Sequence, residues 1–355
     1  MKPEPQSPTQ PLRLLSFGAG AIGTYIGGSL ALAGQRVVFL ERPEVAAELR
    51  QSGLRLEIDG TEHRLPEPLL ADSIEEALAL GPFDAALFAL KSYDTVSALV
   101  GMRPYAAQLP PVICLQNGVD NEPAIAALLG EDRVIPGSVT SAIGRRGAGD
   151  IALERLRGLG LAAGHPLAPA LVQAMSAAGL NARLYPRAGD MKWSKMLTNL
   201  LANATSAILG MPAAEIFAHP GLYALEVAQL REALAVMRRQ GLGVVDLPAT
   251  PVRALAFGVR YLPLALSRPL IGRAVGGGRG GKMPSFYIDL HSGRGKSEVD
   301  FLNGAVVRAG QSLGIPTPAN RLLTQTLLEL TAGAVPLAQF DHRPDALLAA
   351  WKNTA

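Results

Sequence analysis

Residues 12–40 read LRLLSFGAGAIGTYIGGSLALAGQRVVFL, and the order of their parts decides the fold. LRLLSFG (12–18) is a short apolar strand. Gly18-Ala19-Gly20-Ala21-Ile22-Gly23 follows it, then the helix-like TYIGGSLALAG, and after Gly34 the segment QRVVFL is a second strand. Strand, glycine loop, helix and strand is the order that a dinucleotide-binding unit requires. Gly18 permits the tight turn, Gly20 lets a pyrophosphate approach the backbone, and Gly23 lets the helix pack closely on the strand. The unpaired N–H groups of the helix start then face the phosphates. A lone G-x-G-x-x-G is weak evidence; in this setting residues 18–23 read as a nucleotide site.

Outward from that unit, strand-like and helix-like segments alternate through the first half. VVFL is followed by the helical VAAELRQSG, and LRLEIDGTEHRL reads as an antiparallel excursion turning at Asp59-Gly60. SIEEALAL is a helix with an N-cap serine, DAALFAL (84–90) and PVICL are buried strands, and EPAIAALLG is a helix. The expected fold is α/β, a doubly wound and mainly parallel sheet of Rossmann type, followed by an all-helical domain. The pattern changes near Tyr185-Pro186-Arg187-Ala188-Gly189, so the domains are placed at 12–186 and 187–343. Residues 1–11 and 344–355 read as tails.

Composition limits the function. At 355 residues the chain is too long for one ordinary core, so two domains are expected. The 33 basic residues are dispersed among 30 acidic ones, which argues against a nucleic-acid partner. Cys114, the single cysteine, lies inside PVICL as an inert thiol, and no intramolecular disulfide is possible. MKPEPQSPTQP has no apolar run of signal-peptide type, and no segment approaches the ~18–20 apolar residues of a membrane span. A cytoplasmic enzyme with no membrane partner is expected.

The chemistry is expected downstream, in MKWSKMLTNLLANATSAI. Lys195, Asn199 and Asn203 are spaced by four, so on one helix they share a stripe. A cation beside two amides suits a polarised carbonyl next to a carboxylate, although the spacing alone fits a solvated polar face. Lys91 and Asn117 stand at the ends of the two buried strands, where open α/β sheets bind ligands. Each alone reads as ordinary strand-end chemistry, Asn117-Gly118 as a turn; together they edge a crevice. SEVDFLNGAVVRAGQSLG begins a helix with Ser297 as N-cap and Glu298 in the first turn, an acid well placed by the helix dipole. The five histidines are scattered, and no metal site is read.

The ordered set GAGAIG at 18–23, Lys91, Gln116-Asn117-Gly118, K-x-x-x-N-x-x-x-N at 195–203, Ser285 in PSFYID and Glu298 in KSEVDFLNG resembles the ketopantoate reductase family. The resemblance covers about residues 12–340. It implies that Lys195 is a general acid and that Glu298 helps hold the substrate. It implies further that Asn199, Asn203 and Ser285 contact the substrate's hydroxyl and carboxylate groups, and that Lys91 and Asn117 line the cofactor and substrate cleft. The reaction implied is reduction of a 2-oxo acid with NADPH, with a homodimer as the possible assembly. Arg42, 19 residues after Gly23, occupies the family's phosphate-binding position, and Glu41 is read as pointing the other way along the strand. Hydroxy acid dehydrogenases that place lysine and asparagine three apart fit less well. A non-catalytic NADP sensor, the reading from another class, has no need for Lys195 and Glu298 to converge.

One segment departs from that pattern. Residues 244–282 carry Arg253, Arg260, Arg268, Arg273, Arg279 and Lys282 against a single acid, Asp246. RALAFGVRYLPLAL has helical spacing and GGGRGGK (276–282) reads as a flexible loop. The bland reading is a solvated surface elaboration; a lid, a dimer contact or an altered pocket are the alternatives.

Overall fold

The computed structural model describes residues 10–279 and 282–354. The N-terminal tail read at 1–11 lies outside the described residues as far as residue 9. The chain forms two compact units: residues 1–90, 94–116 and 121–188 make the first, and 91–93, 117–120 and 189–355 the second.

The first unit contains twelve described strands. These are β1 (Arg13–Phe17), β2 (Arg36–Leu40), β3 (Leu54–Ile58), β4 (Thr61–Leu65), β5 (Leu69–Ala71), β6 (Ala85–Phe88), β7 (Val112–Cys114), β8 (Val134–Val139), β9 (Ala142–Gly147), β10 (Asp150–Arg155), β11 (Leu159–Ala162) and β12 (Ala182–Tyr185). Eight form one sheet in the order β12-β11-β8-β7-β6-β1-β2-β5, parallel throughout except where β11 meets β8. Successive residues of the central strands serve opposite cores. Leu14, Val37, Phe39, Ala85 and Leu87 pack on one face, and Leu15, Val38, Ala86 and Phe88 on the other. Burial on both faces explains why these strands read as unbroken apolar runs.

Helices cover the sheet: α1 (Ala21–Leu32), α2 (Pro43–Ser52), α3 (Ile74–Ala79), α4 (Thr95–Met102), α5 (Asn121–Leu129) and α6 (Ala168–Ala177). Tyr25, Ile26 and Leu30 of α1 join the first core; Ala77, Ile125 and Leu129 of α3 and α5 join the second. Ser73 caps α3 by accepting from Glu76 N–H at 3.2 Å. The excursion is a β3–β4 hairpin, with Asp59 and Gly60 both at positive φ (50° and 75°) as a two-residue turn of that hand requires. It belongs to a second sheet, β4-β3-β10-β9.

The second unit is helical: α7 (Ala188–Leu200), α8 (Asn203–Leu209), α9 (Ala213–Ala218), α10 (Pro220–Arg239), α11 (Val252–Tyr261), α12 (Leu264–Arg279), α13 (Ser285–Leu290), α14 (Val299–Leu313), α15 (Pro318–Thr331) and α16 (Pro344–Lys352). Four expectations change here. Residues 344–352 of the expected C-terminal tail form a helix: α16 starts on Pro344 and buries Leu347. Residues 276–279 of the expected glycine loop continue α12, while Gly280 and Gly281 lie outside the described residues. The basic segment is also more than a solvated elaboration. Val252, Ala256 and Val259 are buried, Arg231 Nε donates to Val259 O at 2.8 Å, and the Tyr223 hydroxyl bonds to Ser267 Oγ at 2.7 Å.

The fourth change concerns the stripe at 195–203. Lys195 and Asn199 lie on α7, but the helix stops at Leu200, and Ala202 takes a left-handed conformation (φ 49°) before α8 begins on Asn203. An alanine held there costs ~1–3 kcal/mol. The compensation comes from the fully buried Glu226 of α10. Its carboxylate accepts from Ala202 N–H at 2.8 Å, Thr205 Oγ1 at 2.6 Å and Gln229 Nε2 at 2.8 Å. Asn303 Nδ2 in turn donates to Gln229 Oε1 at 2.9 Å. Among the described residues, no helix is long and apolar enough to cross a membrane.

Candidate active site

In the first unit the glycine loop leaves β1, whose neighbours β2 and β6 run out on either side of it, the point where an open α/β sheet forms its crevice. Gly18 has φ 93°. A Cβ on Gly23 would stand 2.2 Å from the Gly18 carbonyl oxygen, so only glycine lets α1 start this close to the turn. A Cβ on Gly20 would meet nothing within 4 Å, which leaves that side of the loop open to a ligand. Gly20 is the N-cap of α1 without a side-chain cap, and no acid occupies the first turn. Ala19, Ala21 and Ile22 complete the loop. An anionic dinucleotide phosphate fits this donor set.

Glu41 departs from its expected direction. Its Oε1 accepts from Ala19 N–H at 2.6 Å, so the carboxylate sits on the glycine loop itself. Arg42 is exposed at the N-cap of α2.

The remaining candidates belong to the second unit and form a connected network. Lys91 Nζ donates to Glu298 Oε2 at 2.8 Å and to Asp289 Oδ2 at 3.0 Å. Glu298 Oε1 accepts from Ser92 N–H at 3.1 Å, and Ser92 Oγ stands 3.1 Å from both that oxygen and the Asn117 carbonyl. Asn199 Nδ2 donates to Asn117 Oδ1 at 3.0 Å. Asn203 Nδ2 is 3.4 Å from Ser285 Oγ, and its Oδ1 accepts from Phe286 N–H at 3.2 Å. Lys195 stands half-buried one turn before Asn199 on α7.

Two placements differ from the sequence reading. Ser297 is not the N-cap of α14; Glu298 is, and Ser297 Oγ accepts from Val299 N–H at 3.2 Å. The Glu298 carboxylate therefore leaves its own helix end and turns to Lys91 and Ser92, with only 3% of the residue exposed. Burial works to lower the Lys91 pKa, but the two carboxylates outweigh it and the ammonium is held above the ordinary lysine value. Burial raises the Asp289 carboxyl above the usual range, against the opposing pull of Lys91.

Three contributors were missed by sequence reasoning. Asp289 lies one turn after Ser285 on α13, so the i,i+4 spacing in PSFYID was an available signal. Ser92 follows Lys91 directly. Glu226 falls on the apolar stripe of α10, among Leu222, Leu225, Gln229 and Leu230, where an acid signals a buried partner.

Two family models match this chain: "Ketopantoate reductase PanE/ApbA" over residues 14–162 and "Ketopantoate reductase PanE/ApbA C terminal" over residues 188–331. The chain belongs to the ketopantoate reductase family. It is 29% identical to a 2-dehydropantoate 2-reductase of Mesorhizobium japonicum, over 86% of this chain and 94% of that one. It is 26% identical to a 2-dehydropantoate 2-reductase of Halobacterium salinarum, over 93% of this chain and 100% of the relative. A PanE/ApbA family ketopantoate reductase from Ralstonia eutropha superposes with TM-score 0.76 at 29% identity, covering 91% of this chain and 99% of that one. The fold also matches a D-mandelate dehydrogenase at TM-score 0.72 and 20% identity, covering 91% of this chain and 99% of that one. Membership makes the chain an oxidoreductase that uses a nicotinamide cofactor on a small 2-oxo acid, and the Rossmann-type sheet with its helical second unit is the family's fold.

Proposed function

We propose that this chain reduces 2-dehydropantoate (ketopantoate) to pantoate with NADPH in the cytoplasm. The observation that carries the reading is the network joining Asn199, Asn117, Ser92, Glu298 and Lys91, with Lys195 one turn from Asn199. The relatives named 2-dehydropantoate 2-reductase give the substrate class.

When bound, the reduced nicotinamide supplies the hydride that turns the 2-oxo carbon into an alcohol carbon. Negative charge then builds on the carbonyl oxygen, and the Lys195 ammonium stabilises it and delivers a proton from Nζ. Asn199, Asn203 and Ser285 orient the substrate without adding charge that repels its carboxylate. Glu298 receives the substrate's 4-hydroxyl. A carboxylate has about four lone-pair sites, and Lys91 and Ser92 use at most three of those on Glu298. Lys91 and Asn117 hold the polar side of the site, and residues 18–23 with Arg42 hold the cofactor. The test is a panel of 2-oxo acids followed by NADPH absorbance. Saturable consumption with ketopantoate and little with unbranched acids supports the reading; the reverse order removes it.

The NADPH preference rests on Arg42 winning over Glu41. An exposed guanidinium can clamp a 2′-phosphate, whereas a carboxylate on the glycine loop opposes one. Arg42→Ala should cost about 10–100-fold in kcat/KM for NADPH and leave NADH nearly unchanged, as loss of charge-assisted hydrogen bonds implies. Glu41→Gln should move the ratio further towards NADPH. Equal values for both cofactors in the unchanged protein, or an Arg42→Ala enzyme of unchanged ratio, would remove the argument.

Assembly as a homodimer is the fitting state for Leu266 and Leu270, a pair at i,i+4 on α12 that leaves 59% and 61% of its surface in water. Light scattering on the protein and on Leu266→Gln/Leu270→Gln tests it: a dimer should become a monomer.

A further inference from the structure

A groove of about 380 Å³ opens where the end of α10, the loop at Gly243 and Val244, and α11 meet. Arg238, Arg253 and Arg260 line it, together with Phe257 and Tyr261, and no carboxylate does. The two rings are not core: they are 58% and 68% exposed, with centroids 5.2 Å apart and planes tilted by 48°. None of these residues belongs to the network around Lys91 and Glu298.

Part of this has an ordinary cause. Arg238 and Arg260 stand in the last turns of α10 and α11, where a cation complements the helix dipole. Arg253 does not. It is the second residue of α11, in the first turn, where a cation faces the positive end and is unfavourable. Its backbone N–H is satisfied by Asp246 Oδ1 at 2.9 Å, and its Nε donates to Val244 O at 3.2 Å, which lays the guanidinium along the groove wall. Arg253, Phe257, Arg260 and Tyr261 share one face of α11 at i, i+4, i+7 and i+8, with Arg238 of α10 beside them. Guanidinium groups interleaved with water-exposed rings match a ligand that joins several negative charges to a planar ring. Arginine pairs phosphate oxygens in bidentate fashion, and aromatic side chains stack on a base. The volume lies within the ~300–1,000 Å³ of small-molecule sites.

We propose that this groove is a second ligand site, separate from the reaction, that takes a nucleoside diphosphate. The polyphosphate lies on Arg238, Arg253 and Arg260, and the base on Phe257 and Tyr261.

Calorimetric titration of the full chain with ADP tests the proposal, because the glycine loop and the groove then count as two. Two ADP per chain are expected. Arg253→Gln/Arg260→Gln should reduce the count to one while the KM for the nicotinamide cofactor stays unchanged. Phe257→Ala/Tyr261→Ala should weaken the second site about tenfold or more, as loss of stacking implies, and pyrophosphate should bind it at least tenfold more weakly than ADP. The four side chains are exposed, and an unchanged melting temperature verifies that each variant folds; the single Arg260→Glu change serves where the double variant does not. No ADP in the unchanged protein, or one ADP that the arginine changes leave in place, overturns the proposal. So does a second site that survives loss of the arginines, or pyrophosphate binding as tight as ADP. One ADP that the arginine changes abolish keeps the groove and removes the glycine loop as an ADP site. Retention on phosphatidylglycerol vesicles without a second ADP site would give the groove to a lipid surface instead.

Discussion

Lys195→Ala lowers kcat by about 10²–10⁴-fold, the usual cost of losing a positioned acid. The loss falls on kcat because the alkoxide charge that the ammonium meets exists in the transition state and not in the bound 2-oxo acid. Nicotinamide cofactor binding should be unchanged, since the loop at 18–23 belongs to the other compact unit. Single-turnover absorbance with ketopantoate separates chemistry from release, and fluorescence titration measures the cofactor. Lys195→Arg is the informative companion, because it keeps the charge while the guanidinium cannot give up its proton at neutral pH. Little recovery of kcat in Lys195→Arg identifies proton delivery, whereas recovery to near the unchanged rate would mean that charge alone suffices. A Lys195→Ala enzyme of near-normal kcat would end the assignment.

Glu298 should behave differently. A hydrogen bond to the remote 4-hydroxyl is made in ground and transition states alike, so Glu298→Ala raises KM more than it lowers kcat. Its contacts with Lys91 and Ser92 complicate that split, because the same carboxylate holds the site's other lysine.

The sheet was legible because its strands are buried on both faces and its glycine loop has one reading in that order. The hairpin was legible because Asp59-Gly60 meets the demand of the turn for positive φ. The break after α7 was not, since Leu-Leu-Ala-Asn-Ala-Thr carries good local helix propensity. Its cause is non-local: Glu226, 24 residues on, supplies the acceptor for Ala202 N–H. The Lys91–Asp289 contact spans 198 residues and depends on where α13 packs, which no local pattern encodes. The helix at 344–352 did carry a signal, Pro344 at its first position and Asp345 in its first turn, but it is short and its polar ends resemble a tail.

Lys91→Met should lower folding stability strongly at neutral and alkaline pH and much less in acid. The lysine serves two carboxylates of low exposure, 4% for the Glu298 side chain and 11% for Asp289. Removing one partner of a buried pair costs ~3–5 kcal/mol; because the Lys91 side chain is itself 37% exposed, the discounted expectation is about 2–3 kcal/mol. In the unchanged protein the raised lysine pKa gives stability that is complete below the ordinary lysine value, so it is fully present at pH 7. In the variant the sign reverses. Asp289 keeps its burial and loses its cation, so its folded pKa, already above the usual carboxylate range, rises further. Between the ordinary carboxylate range and that raised Asp289 value the folded state binds more protons than the unfolded state. Stability therefore falls as pH rises through that window and returns as pH drops through it. Urea midpoints at pH about 5.5 and about 8, for the unchanged protein, Lys91→Met and Lys91→Arg, read this directly. Lys91→Arg keeps the charge and should stay close to the unchanged protein at both. A Lys91→Met loss of the same size at both pH values would mean that the two carboxylates find water or another donor, and the ion-pair account of this site would fail.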